Sequence, residues 1–128
     1  MFDHIQIKVS DLSNSLIFYK ACLGAAGYGL LFETDGIMAG FGRNTHNMLV
    51  ISQATPALAQ SRHVRLTFKM TNANQIKEFY QKALANGGTD LGAPGFRPQY
   101  GEGHYEAAVL DPDGHHIEAI MSANQPFS

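Results

Sequence analysis

The sequence predicts an α+β fold of two βαβββ modules, which form a curved mixed sheet around a cleft. Three observations support this prediction. A strand pattern is followed by a helix pattern near the start of the chain, the same pair recurs 61 positions later (Phe18-Tyr19 and Phe79-Tyr80), and short glycine-punctuated strand patterns follow each helix. A chain of 128 residues suits one domain of ordinary size. We expect one domain over residues 1–128, with modules at about 1–60 and 61–128.

The first strand and helix are predicted over residues 4–9 and 11–23. HIQIKV alternates polar and apolar residues with period two, so Ile5, Ile7 and Val9 are expected on the packed face. DLSNSLIFYKACL begins with Asp11 or Ser13 as N-cap and stops at a glycine. These patterns predict a strand that leads directly into a helix.

The second copy begins at residues 65–70, RLTFKM, and continues into a capped helix within residues 71–88. A gapless offset pairs strand, cap, helix and terminal glycine, and it matches His4 with Arg65 and Gly27 with Gly88. The remaining strands are expected near 27–34, 36–42 and 47–52, and near 89–94, 104–111 and 116–121. A DPDG turn at 111–114 separates the last two.

Composition excludes several classes of partner. The formal charge of −2 and the absence of a Lys or Arg run argue against nucleic-acid binding. No segment is apolar and long enough to span a bilayer, and the polar start does not resemble a signal peptide, so a cytoplasmic protein is expected. The single cysteine, Cys22, is expected to be a buried thiol without a chemical role.

The polar sides of the two predicted first strands suggest a binding cleft. They carry His4, Gln6 and Lys8 in one copy, and Arg65, Thr67 and Lys69 in the other. Two such sheets curved toward each other would enclose a polar concave site for a small molecule. In the alternative interpretation, these side chains simply face water.

Residues at both ends of the chain resemble the vicinal oxygen chelate superfamily, which includes glyoxalase I, bleomycin-resistance proteins and extradiol dioxygenases. The resemblance rests on His4 with Asp11-Leu12 and Phe18-Tyr19, and on the DPDG turn followed by Ile117-Glu118. It implies a glyoxalase-like fold, often a homodimer, with a divalent metal (Fe, Mn, Ni or Zn) held by two histidines and a glutamate. His4 and Glu118 fall on the first and last of these positions, and Glu118 is also the expected catalytic carboxylate.

The middle ligand departs from the family pattern. Arg65 occupies its position, and a guanidinium has no lone pair to give a metal. His63, two residues earlier, is the expected substitute ligand if it belongs to the same strand, and His116 is another candidate. Arg65 could instead pair with Glu118. The fourth glyoxalase I ligand is also missing, because only Leu49 or Val50 lies at the corresponding place.

Two functions therefore stay open, and for both we expect a small-molecule ligand and a homodimer. One is a metal-dependent lyase, isomerase or dioxygenase that acts on a substrate with vicinal oxygens and uses His4, His63 and Glu118. The intact first and last family positions favour this enzyme. The other is a metal-free binding or sequestration protein of the bleomycin-resistance type with Arg65 in the metal position. The expected substrate-binding residues are Arg65, Arg97, Tyr100 and Tyr105.

Overall fold

A computed structural model describes residues 1–121 as two four-stranded sheets and two α-helices. The part of predicted module 2 that runs from 122 to 128 lies outside the described residues. The α+β fold with two βαβββ modules is confirmed. The elements are β1 His4–Val9, α1 Leu12–Ala25, β2 Gly29–Thr34, β3 Met38–Gly42, β4 Met48–Gln53, β5 Arg65–Lys69, α2 Ala73–Ala85, β6 Thr89–Phe96, a 3-10 turn Pro98–Tyr100, β7 Tyr105–Leu110 and β8 His116–Met121.

The strands form two sheets with the same topology rather than one continuous sheet. The orders are β1-β4-β3-β2 and β5-β8-β7-β6. In the first sheet β1 runs parallel to β4, and in the second β5 runs parallel to β8. All other neighbouring strands are antiparallel. β1 and β5 are thus equivalent edge strands that are not hydrogen-bonded to each other.

The two helices begin in the same way, as the repeat predicts. Asp11 accepts a hydrogen bond from the Asn14 amide at 3.2 Å, and Asn72 accepts one from the Gln75 amide at 3.0 Å. At the other end, the left-handed glycines are Gly27 and Gly87, so the predicted match of Gly27 with Gly88 is wrong by one residue. The reason is length, because α1 has 14 residues and α2 has 13. Within residues 1–121, no helix combines the length and apolar character needed to cross a membrane.

Each sheet has one face covered by its helix and one face without a helix. Residues paired across strands point to the same side, so Ile7, Ile51 and Ala39 share the covered face of the first sheet. These side chains are buried beneath α1, and α1 and α2 also pack against each other. Cys22 is buried in this core, whereas Ile5, predicted to be packed, is 43% exposed. The covered faces therefore point toward the helix pair, and the polar faces point away from it.

A buried polar network joins the two modules at the DPDG turn. The Asp111 carboxylate accepts hydrogen bonds from the backbone amides of Asp113 and His115 at 2.9 and 2.8 Å and from the Tyr19 hydroxyl at 2.5 Å. His115 Nε2 lies 2.9 Å from the Ser61 carbonyl oxygen. Burial, together with the neighbouring Asp111 charge, raises the pKa of Tyr19 well above its ordinary value. The turn thus anchors α1 and the segment between β4 and β5 to the second sheet.

Candidate functional site

The polar face of the second sheet brings together residues from three strands. Arg65 pairs with His116 across β5 and β8, and Thr67 pairs with Glu118 in the next row. Glu118 pairs in turn with Ala108 of β7. Because cross-strand partners share a side, these residues all lie on the face that α2 does not cover.

An ion pair between Arg65 and Glu118 occupies the centre of this face. Arg65 Nε donates to Glu118 Oε1 at 3.0 Å, and Arg65 Nη2 donates to Oε2 at 3.2 Å. The Thr67 hydroxyl donates to Oε1 at 2.9 Å. The Glu118 side chain is only 11% exposed, whereas that of Arg65 is 64% exposed. The guanidinium therefore caps a nearly buried carboxylate with the two parallel bonds that arginine forms best.

The ion pair fixes the charge of both partners. Burial pushes the pKa of Glu118 upward, but the hydrogen bonds from Arg65 and Thr67 and the charge of Arg65 outweigh burial and hold it below its ordinary value. The hydrogen bond to Glu118, followed by its charge, raises the pKa of Arg65. Both groups are thus charged at neutral pH.

A cavity of about 230 Å³ lies beside this pair. Besides Arg65, Thr67 and Glu118, its lining includes Tyr100, His104, Glu106 and Ile120. His104 Nε2 lies 3.1 Å from Glu106 Oε1, and the Tyr100 ring meets the His104 ring edge-on at 5.6 Å. Tyr100 is one of the residues predicted from the sequence, whereas His104 and Glu106 are not. The alternation along residues 104–111 could have found Glu106, because every second residue of β7 shares the face of Glu118.

The structure places three proposed site residues elsewhere. Tyr105 lies on the covered face of β7, buried in the hydrophobic core, so its predicted place in the cleft is corrected. Arg97 folds its guanidinium back onto the carbonyl oxygens of Ala93 and Phe96 at 2.9 and 3.3 Å. His63 precedes β5 in a left-handed conformation (φ 58°), so the period-two argument that aimed it at the cleft does not hold.

The equivalent face of the first sheet carries fewer metal donors. Gln6 pairs with Val50 in the first sheet, and the equivalent Thr67 pairs with Glu118 in the second. Val50 therefore occupies the position that corresponds to the Glu118 carboxylate. His4 pairs with Met48, and its Nδ1 lies 2.8 Å from Asp3 Oδ1. His4 and Glu118 also line different cavities. Of the metal-ligand positions implied by the family resemblance, this face thus carries only the imidazole of His4 within residues 1–121.

These residues do not fit a divalent metal. Both Glu118 oxygens are engaged by Arg65, and a metal bound there would stand beside a permanent positive charge. Val50 has no donor atom. Within residues 1–121, no three His, Cys, Asp or Glu side chains converge as a metal site would require.

The architecture and the chain's relatives define its class. The paired βαβββ modules are those of the glyoxalase-like fold, and the family model of the Glyoxalase/Bleomycin resistance protein/Dioxygenase superfamily matches residues 1–119. A glyoxalase/bleomycin resistance protein from Albidiferax ferrireducens T118 is similar with a TM-score of 0.80 and 31% identity, over 94% of this chain and 98% of that one. This chain belongs to the Glyoxalase/Bleomycin resistance protein/Dioxygenase superfamily, as the sequence predicted.

More distant solved structures share the fold alone. A glyoxalase-related enzyme from Fulvimarina pelagi has a TM-score of 0.73 and 19% identity, over 98% of this chain and 90% of that one. A lactoylglutathione lyase from Agrobacterium tumefaciens has a TM-score of 0.63 and 15% identity, over 94% and 91%. None of the curated proteins compared matches the chain. The superfamily is therefore established, without a particular activity.

Proposed function

We propose that this protein binds a small molecule without a metal, and that the Arg65–Glu118 ion pair takes the place of the metal centre. The observation that carries this proposal is the two-pronged contact of Arg65 with both oxygens of Glu118. It favours the second of the two functions left open by the sequence over the metal-dependent lyase, isomerase or dioxygenase. His4, His63 and Glu118 as metal ligands remain only a prediction of that alternative.

Energetics support the exchange of a metal for an arginine. A metal at Glu118 would have to displace two charge-assisted hydrogen bonds and leave the guanidinium beside a second cation. Within the pair neither charge is left uncompensated, because the guanidinium of Arg65 contacts the nearly buried carboxylate of Glu118 directly. The family site is thus closed by a group that the chain already carries.

The exposed part of the pair suggests how a ligand is held. Arg65 retains donor groups directed to solvent, and Tyr100 is 65% exposed beside the same cavity. Both therefore remain candidate ligand-binding residues. Glu118, expected from the sequence to be catalytic, acts in this proposal as a positioning residue that holds Arg65 in one orientation.

Equilibrium dialysis against Zn(II), Ni(II), Mn(II) and anaerobic Fe(II) tests the proposal. We expect the wild type to retain no more metal than the Glu118→Gln variant, because neither offers a free carboxylate at this position. About one metal per chain in the wild type that is lost in Glu118→Gln would contradict the proposal. It would instead support the enzyme hypothesis.

A homodimer, expected from the family resemblance, stays a prediction. Edge strand β2 and the turn after it expose Leu30, Leu31 and Ile37, and edge strand β6 exposes Leu91 and Phe96. Apolar side chains along open sheet edges are a common site of contact between subunits. These edges are where we expect a second copy to bind.

A further inference from the structure

A second cavity, of about 300 Å³, lies between the two sheets. Its walls come from the start of β1, the ends of β3 and β4 that lie beside it, and most of β5. We call it the inter-sheet cavity. Among residues 1–121, only Thr67 lines both this cavity and the one beside Arg65. The volume is at the small end of the range of roughly 300–1,000 Å³ that is typical of ligand sites.

The wall of the inter-sheet cavity is mainly apolar. Leu49 and Phe41 belong to the covered face of the first sheet, and Leu66 and Phe68 to that of the second. Ile5 is 43% exposed at this wall, although it has the alternation of a packed residue. An apolar surface left open inside a concavity is a place where an apolar ligand gains free energy by displacing water.

Tyr28 forms a fixed aromatic part of the wall. Its ring lies 5.7 Å from the Phe68 ring, and the Arg43 guanidinium lies 4.6 Å from its centroid on a cation–π contact. Its hydroxyl donates to the Lys69 carbonyl oxygen. The wall is thus held in place before any ligand arrives, which lowers the entropic cost of binding.

The cavity has a lysine in its lining and, among residues 1–121, no acidic residue. The ionisable side chains of its described lining are Lys69, His4 and Tyr28. His4 contacts Asp3, whereas Lys69 has no carboxylate within 4.0 Å among residues 1–121. An ammonium group beside an apolar wall favours a ligand with an anionic group joined to an apolar body.

We infer that the inter-sheet cavity binds a small amphipathic carboxylate, with its apolar body against Ile5, Leu66 and Phe68 and its carboxylate at Lys69. This inference goes beyond the proposed function, because it adds a binding site beside the Arg65–Glu118 face. Its apolar walls belong to the covered sides of both sheets, whereas Lys69 lies on the same side of β5 as Arg65, at the edge of the second sheet. Thr67 lies where the two cavities meet.

Calorimetry with three matched probes tests the inference on the full chain. The probes are 4-phenylbutanoate, 4-phenylbutan-1-ol and 4-phenylbutylamine, which share an apolar body and differ in charge. We expect the carboxylate to bind tightest and the amine weakest. Lys69→Gln should weaken carboxylate binding by about tenfold and leave the alcohol unchanged, because it removes one charge-assisted contact.

Matched variants test the contribution of the apolar wall separately from that of the Lys69 charge. Lys77→Gln, on the exposed side of α2, should change nothing. Ile5→Ser should weaken the carboxylate and the alcohol alike, whereas Ile17→Ser, exposed on α1, should weaken neither. Equal binding of all three probes, no binding of any, or loss of binding through Arg65→Ala but not Lys69→Gln would each overturn the inference. Metal retention is measured separately, so a failure of the metal-free proposal would be recognised independently.

Discussion

Arg65→His is expected to create a metal site where the Arg65–Glu118 ion pair now stands. The introduced imidazole would lie in the row of His116, one row from Glu118 on the same face, and Glu118 would lose the guanidinium that engages it. His116 Nε2 is already 3.7 Å from Glu118 Oε2. Two imidazoles and a carboxylate suit Zn(II) or Ni(II), so calorimetry should detect about one metal per chain. Affinity should fall as pH is lowered, because protons compete for the ligands.

Two control variants make this gain interpretable. Lys77→His introduces the same side chain on the exposed side of α2 and should bind no metal. Adding His116→Ala to Arg65→His should remove the new site if His116 supplies the third ligand, and adding His4→Ala should remove it if His4 does. If Arg65→His stays metal-free, the assignment of Arg65 to the metal position is wrong.

Asp111→Ala is expected to cause the largest loss of stability among the polar positions discussed. The change would leave two backbone amides and the Tyr19 hydroxyl without their buried acceptor. Breaking such a buried network typically costs about 3–5 kcal/mol. Urea unfolding monitored by far-UV circular dichroism should show this loss as a lower midpoint with little change in slope.

The matched control is Asp35→Ala, which removes the same carboxylate from an exposed turn. It should change the free energy of unfolding by no more than about 0.5 kcal/mol. Comparable effects of the two substitutions would mean that the Asp111 network does not hold the modules together.

The fold could be predicted from the sequence because its signals are local and occur twice. β1 and β8 have the predicted bounds, since HIQIKV alternates strictly and HIEAIM follows directly after the DPDG turn. The slip between Gly27 and Gly87 could not be predicted, because a gapless comparison cannot reveal a helix that is one residue shorter. The separation into two sheets depends on hydrogen bonding between strands distant in sequence, which periodicity does not report.

The site was predictable only where strand period determined it. Arg65 and Glu118 were matched through the repeat and the family resemblance, and they meet as one of the sequence hypotheses allowed. His63 was assigned to the wrong environment because β5 begins two residues later, after a left-handed residue. Tyr105 was assigned to the wrong face because a tyrosine in a strand fits the core or a cleft equally well. The face it shares with the buried Ala107 and Val109 of the same strand places it in the core.

The most direct test of the central claim is the titration of the Glu118 carboxyl carbon by ¹³C NMR, with and without Zn(II). Since Arg65 holds its pKa below the ordinary value, the carboxylate should stay ionised until the solution is more acidic than an ordinary glutamate requires. The pair's contribution to stability should be present at neutral pH and be lost as pH falls through that lowered pKa. We predict a lowered pKa that moves upward in Arg65→Met and a wild-type signal that Zn(II) does not shift. An ordinary or raised pKa, or a signal displaced by Zn(II), would contradict the account.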